Sequence, residues 1–462
     1  MPKTNASRIR PQLPPLRHLI PPALYGGQNA FPALSKIDEE LQRCRGDRPS
    51  PGLLERSKLT MYTSLRERFD RTVAQVLALK ILNICVARYD LQFRRTCVLS
   101  RPLGLVVDPS NMCRLACPGC VHSVRSETLK LFDWPKGTLS EDRFLSLLKL
   151  YGPYAIGVCL YSYGEPLLNL ATPRLIRLAK RHLMSTSLST SLSVQRFEPH
   201  AYVESGLDFM VLSIDGVTQP VYERFRRNGD LELVLRNVRR LVDVKRELRK
   251  RTPVLSWNFL AFEHNAHEIP LAARLARQLG VNQFRVVSPF DITWDDPEIR
   301  PAAVKAGVRR LDSWFGINLH RNWFAVPDSL DSDTIERAFD LPWGEPAEWA
   351  TPPTTGHTCH WLYKNMVMDA TGRVMPCCAA PGPNVDLEFA TFDGTGDPFN
   401  SEKYRRARRF FSSGAPRSGL YCERCEWDQT TVSIGDLQIR QYFRAMDAAF
   451  FDRKSLRILS SW

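Results

Sequence analysis

Short apolar runs alternate with helical segments from residue 103 to residue 287, and this alternation constrains the fold more than any other feature of the 462-residue chain. The predicted strands are Leu103–Val107, Ile156–Tyr161, Ser185–Ser193, Phe209–Ile214, Val254–Phe262 and Gln283–Val287. The predicted helices between them are Ser140–Tyr151, Thr172–Arg181, Val221–Arg226, Leu231–Lys250 and His267–Leu279. Thr138, followed by Glu141, resembles a capping box that opens the first helix. Strand, helix and strand repeated in this way predict an α/β fold of parallel βα units on one curved or closed sheet, with ligands at the carboxyl ends of the strands.

The part of the chain before residue 103 is predicted to be an N-terminal extension. Prolines interrupt any regular pattern up to about residue 60, so an irregular arm is expected there. From about Lys58 to Arg95 apolar residues recur with a helical period, and Lys80 is expected among the basic residues around them. Two interpretations stay open: a helix packed on the main domain, or a basic amphipathic helix lying on a membrane.

Composition limits the partners and the compartment. The formal net charge of +14 favours anionic partners, and nucleic acid is disfavoured because no RNA-binding module accompanies the charge. No stretch of 18 apolar residues and no secretory signal is present, so a cytoplasmic location without a transmembrane span is expected. Twelve cysteines in such a chain indicate metal binding rather than disulfides.

Three of these cysteines, Cys113, Cys117 and Cys120, directly follow the first predicted strand. Three thiolates can hold one face of a metal centre, whereas a closed zinc site needs four protein ligands. An iron–sulfur cluster held by three cysteines would leave one iron open for a small chelating ligand. The zinc alternative requires a further ligand such as His122.

This segment resembles the radical S-adenosylmethionine (SAM) superfamily, which has the same cysteine spacing after the first strand of a parallel βα array. The resemblance implies a partial (β/α)6 TIM-like barrel of parallel strands and a [4Fe–4S] cluster whose open iron is chelated by SAM. An electron from a flavodoxin- or ferredoxin-type donor would cleave SAM, and the resulting 5′-deoxyadenosyl radical would abstract a substrate hydrogen. In one departure, Gly119 stands where many relatives have an aromatic residue before the third cysteine.

The same resemblance implies SAM contacts at the ends of three later strands. These contacts are Gly164, Glu165 and Pro166 for the amino group, Thr190 and Ser191 near the ribose, Ser213 and Asp215, and Arg226 (or Arg227) for the carboxylate. Ser191 replaces the asparagine of many relatives. No catalytic base is assigned, and the candidates at strand ends are Tyr161, Tyr163, His122 and Asp215.

A second cysteine group lies nearer the C-terminus, and its residues alone are compatible with zinc or with an iron–sulfur cluster. Its pattern resembles the SPASM or twitch extension of radical SAM enzymes, in which a β-hairpin delivers one cysteine. Here Asp369 to Gly372 would form the turn of a small hairpin-plus-helix cluster domain. The resemblance implies one auxiliary [4Fe–4S] cluster, and thus two clusters per chain. The predicted ligands are Cys359, Cys377, Cys422 and Cys425, with Cys378 as the alternative to Cys377.

The predicted organisation is an N-terminal extension (1–100), a radical SAM core (101–290), a bridging segment (291–355), the auxiliary cluster domain (356–430) and a helical tail (431–462). A small-molecule or lipid substrate is favoured by the single auxiliary cluster and by the helix near residue 80, which suggests peripheral contact with the inner membrane surface. The alternative is a maturase that forms a thioether, a carbon–carbon cross-link or an oxidised side chain in a ribosomally made peptide or protein. Basic residues around 239–251, Lys245 among them, and the arginines around 405–409 are solvated helix faces or a landing surface for an anionic substrate. A zinc-stabilised binding protein is the remote non-enzyme alternative.

Overall fold

The computed structural model describes residues 53–66, 73–123, 135–287, 299–300, 302, 359–377, 388–413 and 419–424. The strands are β1 Gly104–Val107, β2 Gly157–Cys159, β3 Ser185–Thr190, β4 Phe209–Ser213, β5 Val254–Leu260, β6 Gln283–Val287, β7 Asn365–Met368, β8 Arg373–Met375 and β9 Ala390–Thr391. The α-helices are α1 Leu53–Arg66, α2 Val73–Gln92, α3 Glu141–Tyr151, α4 Thr172–Arg181, α5 Pro199–Glu204, α6 Gln219–Phe225, α7 Leu231–Glu247, α8 Ile269–Leu279, α9 Trp361–Lys364 and α10 Glu402–Ser413.

Strands β1 to β6 pair in chain order and in parallel, which confirms the α/β fold with a partial barrel. Each of the six strands lies within its predicted range. Residues of one strand face alternately the helices and the concave side of the sheet: Leu188 in β3 is fully buried, while Ser187 and Ser189 beside it are half-buried. The carboxyl ends of these strands meet at one edge, where the predicted site residues lie.

The sheet continues on the other side of β1 into the C-terminal region. Strand β7 pairs with β1 in parallel, β8 returns antiparallel to β7, and β9 pairs with β8. The predicted turn between β7 and β8 is confirmed, and Gly372 there has a φ of +97°, a conformation that favours glycine. The hairpin therefore extends the barrel sheet itself.

The predicted helices are present, with ends that differ by up to three residues. The predicted capping box is wrong: Ser140 is the N-cap of α3, where its Oγ accepts a hydrogen bond from the Arg143 N–H at 3.2 Å, while Thr138 forms a β-bridge with Ser110. Helix α5 was not predicted. It has only six residues and begins at Pro199, a residue suited to a first helical turn but also to a loop.

The N-terminal helices pack on the barrel. This agrees with a helix packed on the main domain and differs from a basic amphipathic helix lying on a membrane. Ala87 of α2 packs with Leu103 and Ile156, and Leu79 and Leu82 are buried in a cluster with α1. Lys80 is not on a solvated face. It is fully buried, and its ammonium group donates to the carbonyl oxygens at Gly152 and Ala155. None of the helices among the described residues has the length and apolar character that a membrane span requires.

Candidate active site

The loop after β1 brings the three predicted cluster cysteines together. Cys113, Cys117 and Cys120 belong to one small apolar cluster with buried Leu115. Gly119 has a φ of +72°, and the Cys120 N–H donates to the Cys117 carbonyl at 3.0 Å. This tight turn explains the departure from the aromatic residue of many relatives, because a residue with a Cβ is strained at that φ.

Burial raises the pKa of the Cys113 and Cys120 thiols to about 12, and it also raises the pKa of Cys117. Thiols in such surroundings keep their protons unless a metal centre replaces them. The described residues contain no group of three His, Cys, Asp or Glu arranged to hold a single metal ion. A [4Fe–4S] cluster distributes its cysteines over different irons, so three neighbouring thiols in an apolar surrounding fit that group.

His122 is turned towards the loop after β2. Its Nε2 lies 3.1 Å from the Tyr163 carbonyl oxygen. A carbonyl can only accept, so Nε2 carries the proton in this contact. Burial lowers the pKa of His122, which favours the neutral ring.

The predicted SAM amino-group segment follows β2 and is held by a residue that the sequence did not single out. Asp108 is fully buried and accepts backbone hydrogen bonds from Ser162 at 2.5 Å and Tyr163 at 3.1 Å. Gly164 is required by close packing, because a Cβ there would lie 1.5 Å from the Ser110 carbonyl oxygen. Buried Pro166 opens a 3-10 turn beyond it.

Glu165 joins the ends of β2 and β3. Its Oε1 accepts from Thr190 Oγ1 at 2.6 Å, and its Oε2 accepts from the N–H and the hydroxyl of Ser191 at 2.9 and 2.7 Å. The three predicted SAM contacts are thus brought together. Both oxygens of Glu165 already have partners within the chain, so the side chain shapes the pocket wall.

At the end of β4, Asp215 and Arg226 form a buried ion pair, with Nε 2.5 Å from Oδ2. The other Asp215 oxygen accepts from the Leu260 N–H at 2.7 Å, which makes this carboxylate unsuited to act as a base. Burial lowers the pKa of Arg226, but the neighbouring Asp215 carboxylate outweighs this and raises it, so the guanidinium stays charged. Arg226 Nη1 lies 3.8 Å from Cys117 Sγ. Ser213 Oγ lies 3.2 Å from Ser189 Oγ on the concave face of the sheet.

The two tyrosine candidates belong to the loop after β2, and their surroundings differ. Tyr161 packs on an apolar cluster that includes Val106, Val367 and Met375. Tyr163 is half-buried and contributes its backbone to Asp108 and His122.

Two of the predicted auxiliary ligands, Cys359 and Cys422, pack in the same apolar cluster as buried Tyr404. Burial raises the pKa of Tyr404, the Arg408 guanidinium opposes this, and Cys377, Cys422 and Cys359 raise it further. The Tyr404 hydroxyl donates to the Met375 carbonyl at 3.0 Å, two residues before Cys377. Cys425 and Cys378 lie outside the described residues.

Two residues from the predicted basic surfaces are structural instead. Arg408 is fully buried and donates to the Leu362 and Phe399 carbonyls at 2.9 and 2.8 Å. Lys245 is buried and donates to Asn282 Oδ1 at 2.9 Å. Neither residue can therefore belong to an exposed landing surface.

A comparison with known protein families agrees with this geometry. Residues 107–255 match a family model described as "Radical SAM superfamily". No curated protein matches the chain. Among similar solved structures, Streptococcus suis SuiB bound to precursor peptide SuiA has 14% identity and a TM-score of 0.45, over 80% of this chain and 76% of that chain. Native anSMEcpe with bound AdoMet has 14% identity and a TM-score of 0.43, over 78% and 100%. Likenesses this distant carry no function from one chain to another. The family match covers about a third of the chain and includes the cysteine loop, and this family uses a [4Fe–4S] cluster and SAM.

Proposed function

We propose that this chain is an enzyme that uses a [4Fe–4S] cluster on Cys113, Cys117 and Cys120, together with SAM, to modify an organic substrate. The observation that supports this most is the convergence of three cysteine thiols, of which Cys117 is buried, and a charged Arg226 at the carboxyl edge of the sheet. When bound, the cluster and SAM supply an electron and a 5′-deoxyadenosyl radical that abstracts a substrate hydrogen.

The chain's own residues would bind and orient SAM. Asp108 holds the loop that carries Gly164, and Glu165 holds the end of β3, so the SAM pocket has a rigid wall before SAM enters. Arg226 is protonated and half-buried beside Cys117, which suits it to pair with the SAM carboxylate. Ser213 and Ser189 offer hydroxyl groups on the concave side.

The second part of the proposal is an auxiliary [4Fe–4S] cluster on Cys359, Cys377, Cys422 and Cys425. The packing of Cys359 and Cys422 in the cluster that contains Tyr404 supports it, as does the hydrogen bond from Tyr404 to the Met375 carbonyl, two residues before Cys377. This cluster would accept an electron or bind substrate, and a flavodoxin- or ferredoxin-type protein would reduce the SAM cluster. We place the enzyme in the cytoplasm.

The substrate class follows from weaker observations. A small organic molecule with anionic groups stays the first choice because one auxiliary cluster is proposed. The packing of the apolar residues of α2 within the protein argues against a lipid at the inner membrane surface. Maturation of a ribosomally made peptide is the second candidate.

The test is 5′-deoxyadenosine formation from SAM by anaerobically reconstituted protein with dithionite. The control is the triple variant Cys113→Ala, Cys117→Ala, Cys120→Ala. Product from the wild type alone is expected, and peptides, lipids and small anionic metabolites can then be screened for stimulated turnover. Zinc retention with no iron uptake would support the zinc-stabilised binding protein instead.

A further inference from the structure

Asp108 is a buried carboxylate whose hydrogen bonds all go to one loop. It lies at the end of β1 and is fully buried. Oδ1 accepts from the N–H groups of Ser162 and Gly164 at 2.5 and 3.4 Å, and Oδ2 accepts from Tyr163 at 3.1 Å. Three consecutive backbone donors thus point at one side chain, an arrangement that fixes the course of a loop.

The loop has no room to move towards β1. A Cβ on Gly164 would lie 1.5 Å from the Ser110 carbonyl oxygen, and the Glu165 N–H donates to the Met112 carbonyl at 2.8 Å. The loop is therefore packed against the segment between β1 and the cluster cysteines. The hydrogen bonds to Asp108 fix the position of the loop along the segment between β1 and the cluster cysteines.

The C-terminal hairpin supports the same segment from the other side. The parallel register of β1 and β7 pairs Val107 with Met368, so Asp108 and Asp369 are neighbours at the next position. Asn111 Oδ1 accepts from the Ala370 N–H at 2.8 Å, and the Asp108 N–H donates to the Met368 carbonyl at 3.0 Å. The hairpin turn and the loop after β2 are thus linked through residues 108 to 111.

We propose that Asp108 is a positioning residue for SAM: it holds the Ser162–Gly164 loop in the conformation that binds the SAM amino group, while Asn111 braces this arrangement against the C-terminal hairpin. The inference rests on the proposed function, because it assumes that SAM binds at this loop. Asp108 does not touch SAM itself. Its carboxylate acts through the backbone groups that it orders.

The test compares two fully buried aspartates that both accept backbone hydrogen bonds but lie in different parts of the chain; Asp90 is also paired with Arg95. Asp108→Asn replaces one carboxylate oxygen by an amide NH2 group. This group cannot accept a hydrogen bond, so at least one backbone N–H of the loop loses its acceptor. Asp90→Asn makes the same change in the N-terminal extension, where Asp90 Oδ2 accepts from the Leu99 and Ser100 N–H groups at 3.0 and 2.9 Å. Both full-length variants are reconstituted with iron, and SAM affinity is measured by equilibrium dialysis.

We expect Asp108→Asn to raise the SAM Kd at least about tenfold, equivalent to about 1.4 kcal/mol. Its iron content should equal that of the wild type. The SAM-induced change in the electron paramagnetic resonance (EPR) spectrum of the reduced cluster should need correspondingly more SAM. Asp90→Asn should lower thermal stability but leave the SAM Kd unchanged. An unchanged SAM Kd in Asp108→Asn, or an equal rise in both variants, overturns the inference.

Asn111→Ala keeps the proposal testable if Asp108→Asn does not fold. It removes the hydrogen bond to Ala370 and should raise the SAM Kd severalfold at unchanged iron content; an unchanged Kd overturns the bracing role. Failure of the proposed function looks different, since the iron-loaded wild type itself would then not bind SAM.

Discussion

The guanidinium of Arg226 lies beside a predicted cluster ligand, with 3.8 Å between its Nη1 and the Cys117 sulfur. Its other side is paired with Asp215, so the position of the positive charge is fixed. A fixed positive charge stabilises the reduced, more negative form of a cluster.

Arg226→Gln should therefore lower the reduction potential of the SAM cluster. We expect a shift of roughly 30–60 mV, because 59 mV corresponds to about 1.4 kcal/mol for one electron. The measurement is a redox titration followed by EPR. Exposed Arg236→Gln on α7 is the control and should leave the potential unchanged. A potential in Arg226→Gln equal to that of the wild type would show that Arg226 does not tune the cluster.

Gly119→Ala should reduce iron incorporation. Its φ of +72° is strained for alanine by about 1 kcal/mol, and the strain falls on the turn between two predicted ligands. Gly396→Ala is a matched control, since Gly396 has a φ of +71° and nothing within 4 Å of its added Cβ. Iron per chain after reconstitution is the readout. Equal iron loading in both variants would contradict the role of this turn.

Lys80 should make folding stability pH-dependent. Burial lowers its pKa to about 7, so between pH 7 and the ordinary pKa of lysine the unfolded chain binds a proton that the folded chain does not. Lys80 therefore adds to the free energy of unfolding as the pH rises above 7, by about 1.4 kcal/mol per pH unit.

Urea denaturation at pH 7 and pH 9 checks this prediction. Lys80→Met should show a smaller increase than the wild type between the two pH values, while Lys245, whose pKa burial lowers to about 8, still contributes; exposed Lys149→Met should retain the full increase. The prediction fails if Lys80→Met and the wild type gain the same stability.

Cys377→Ala should remove the auxiliary cluster, while Cys378→Ala should not. With two [4Fe–4S] clusters the wild type should contain about eight irons per chain and Cys377→Ala about four. Iron and sulfide analysis combined with EPR distinguishes a chain with two clusters from a chain with one. The reverse pattern would assign Cys378 as the ligand, and four irons in the wild type would remove the auxiliary cluster from the proposal.

Sequence patterns were sufficient to predict the elements whose formation depends on neighbouring residues alone. The six core strands lie within their predicted ranges because apolar runs and helical periods are local properties. The sequence places Lys80 among the basic residues of an amphipathic helix and Arg408 on a solvated helix face or a landing surface, because charged residues are seldom buried. Their burial depends on carbonyl groups from distant segments, Gly152 for Lys80 and Leu362 for Arg408.

The sequence by itself determined the fold class and the cysteine loop after β1, since both are written in the order and spacing of neighbouring residues. Tertiary structure decided that Asp108 holds the loop after β2, that Glu165 joins β2 to β3, and that the C-terminal hairpin continues the barrel sheet. These relationships join residues far apart in the chain. No local pattern encodes them, because hydrogen bonds between strand ends form only once the parallel sheet has brought those ends to a common edge.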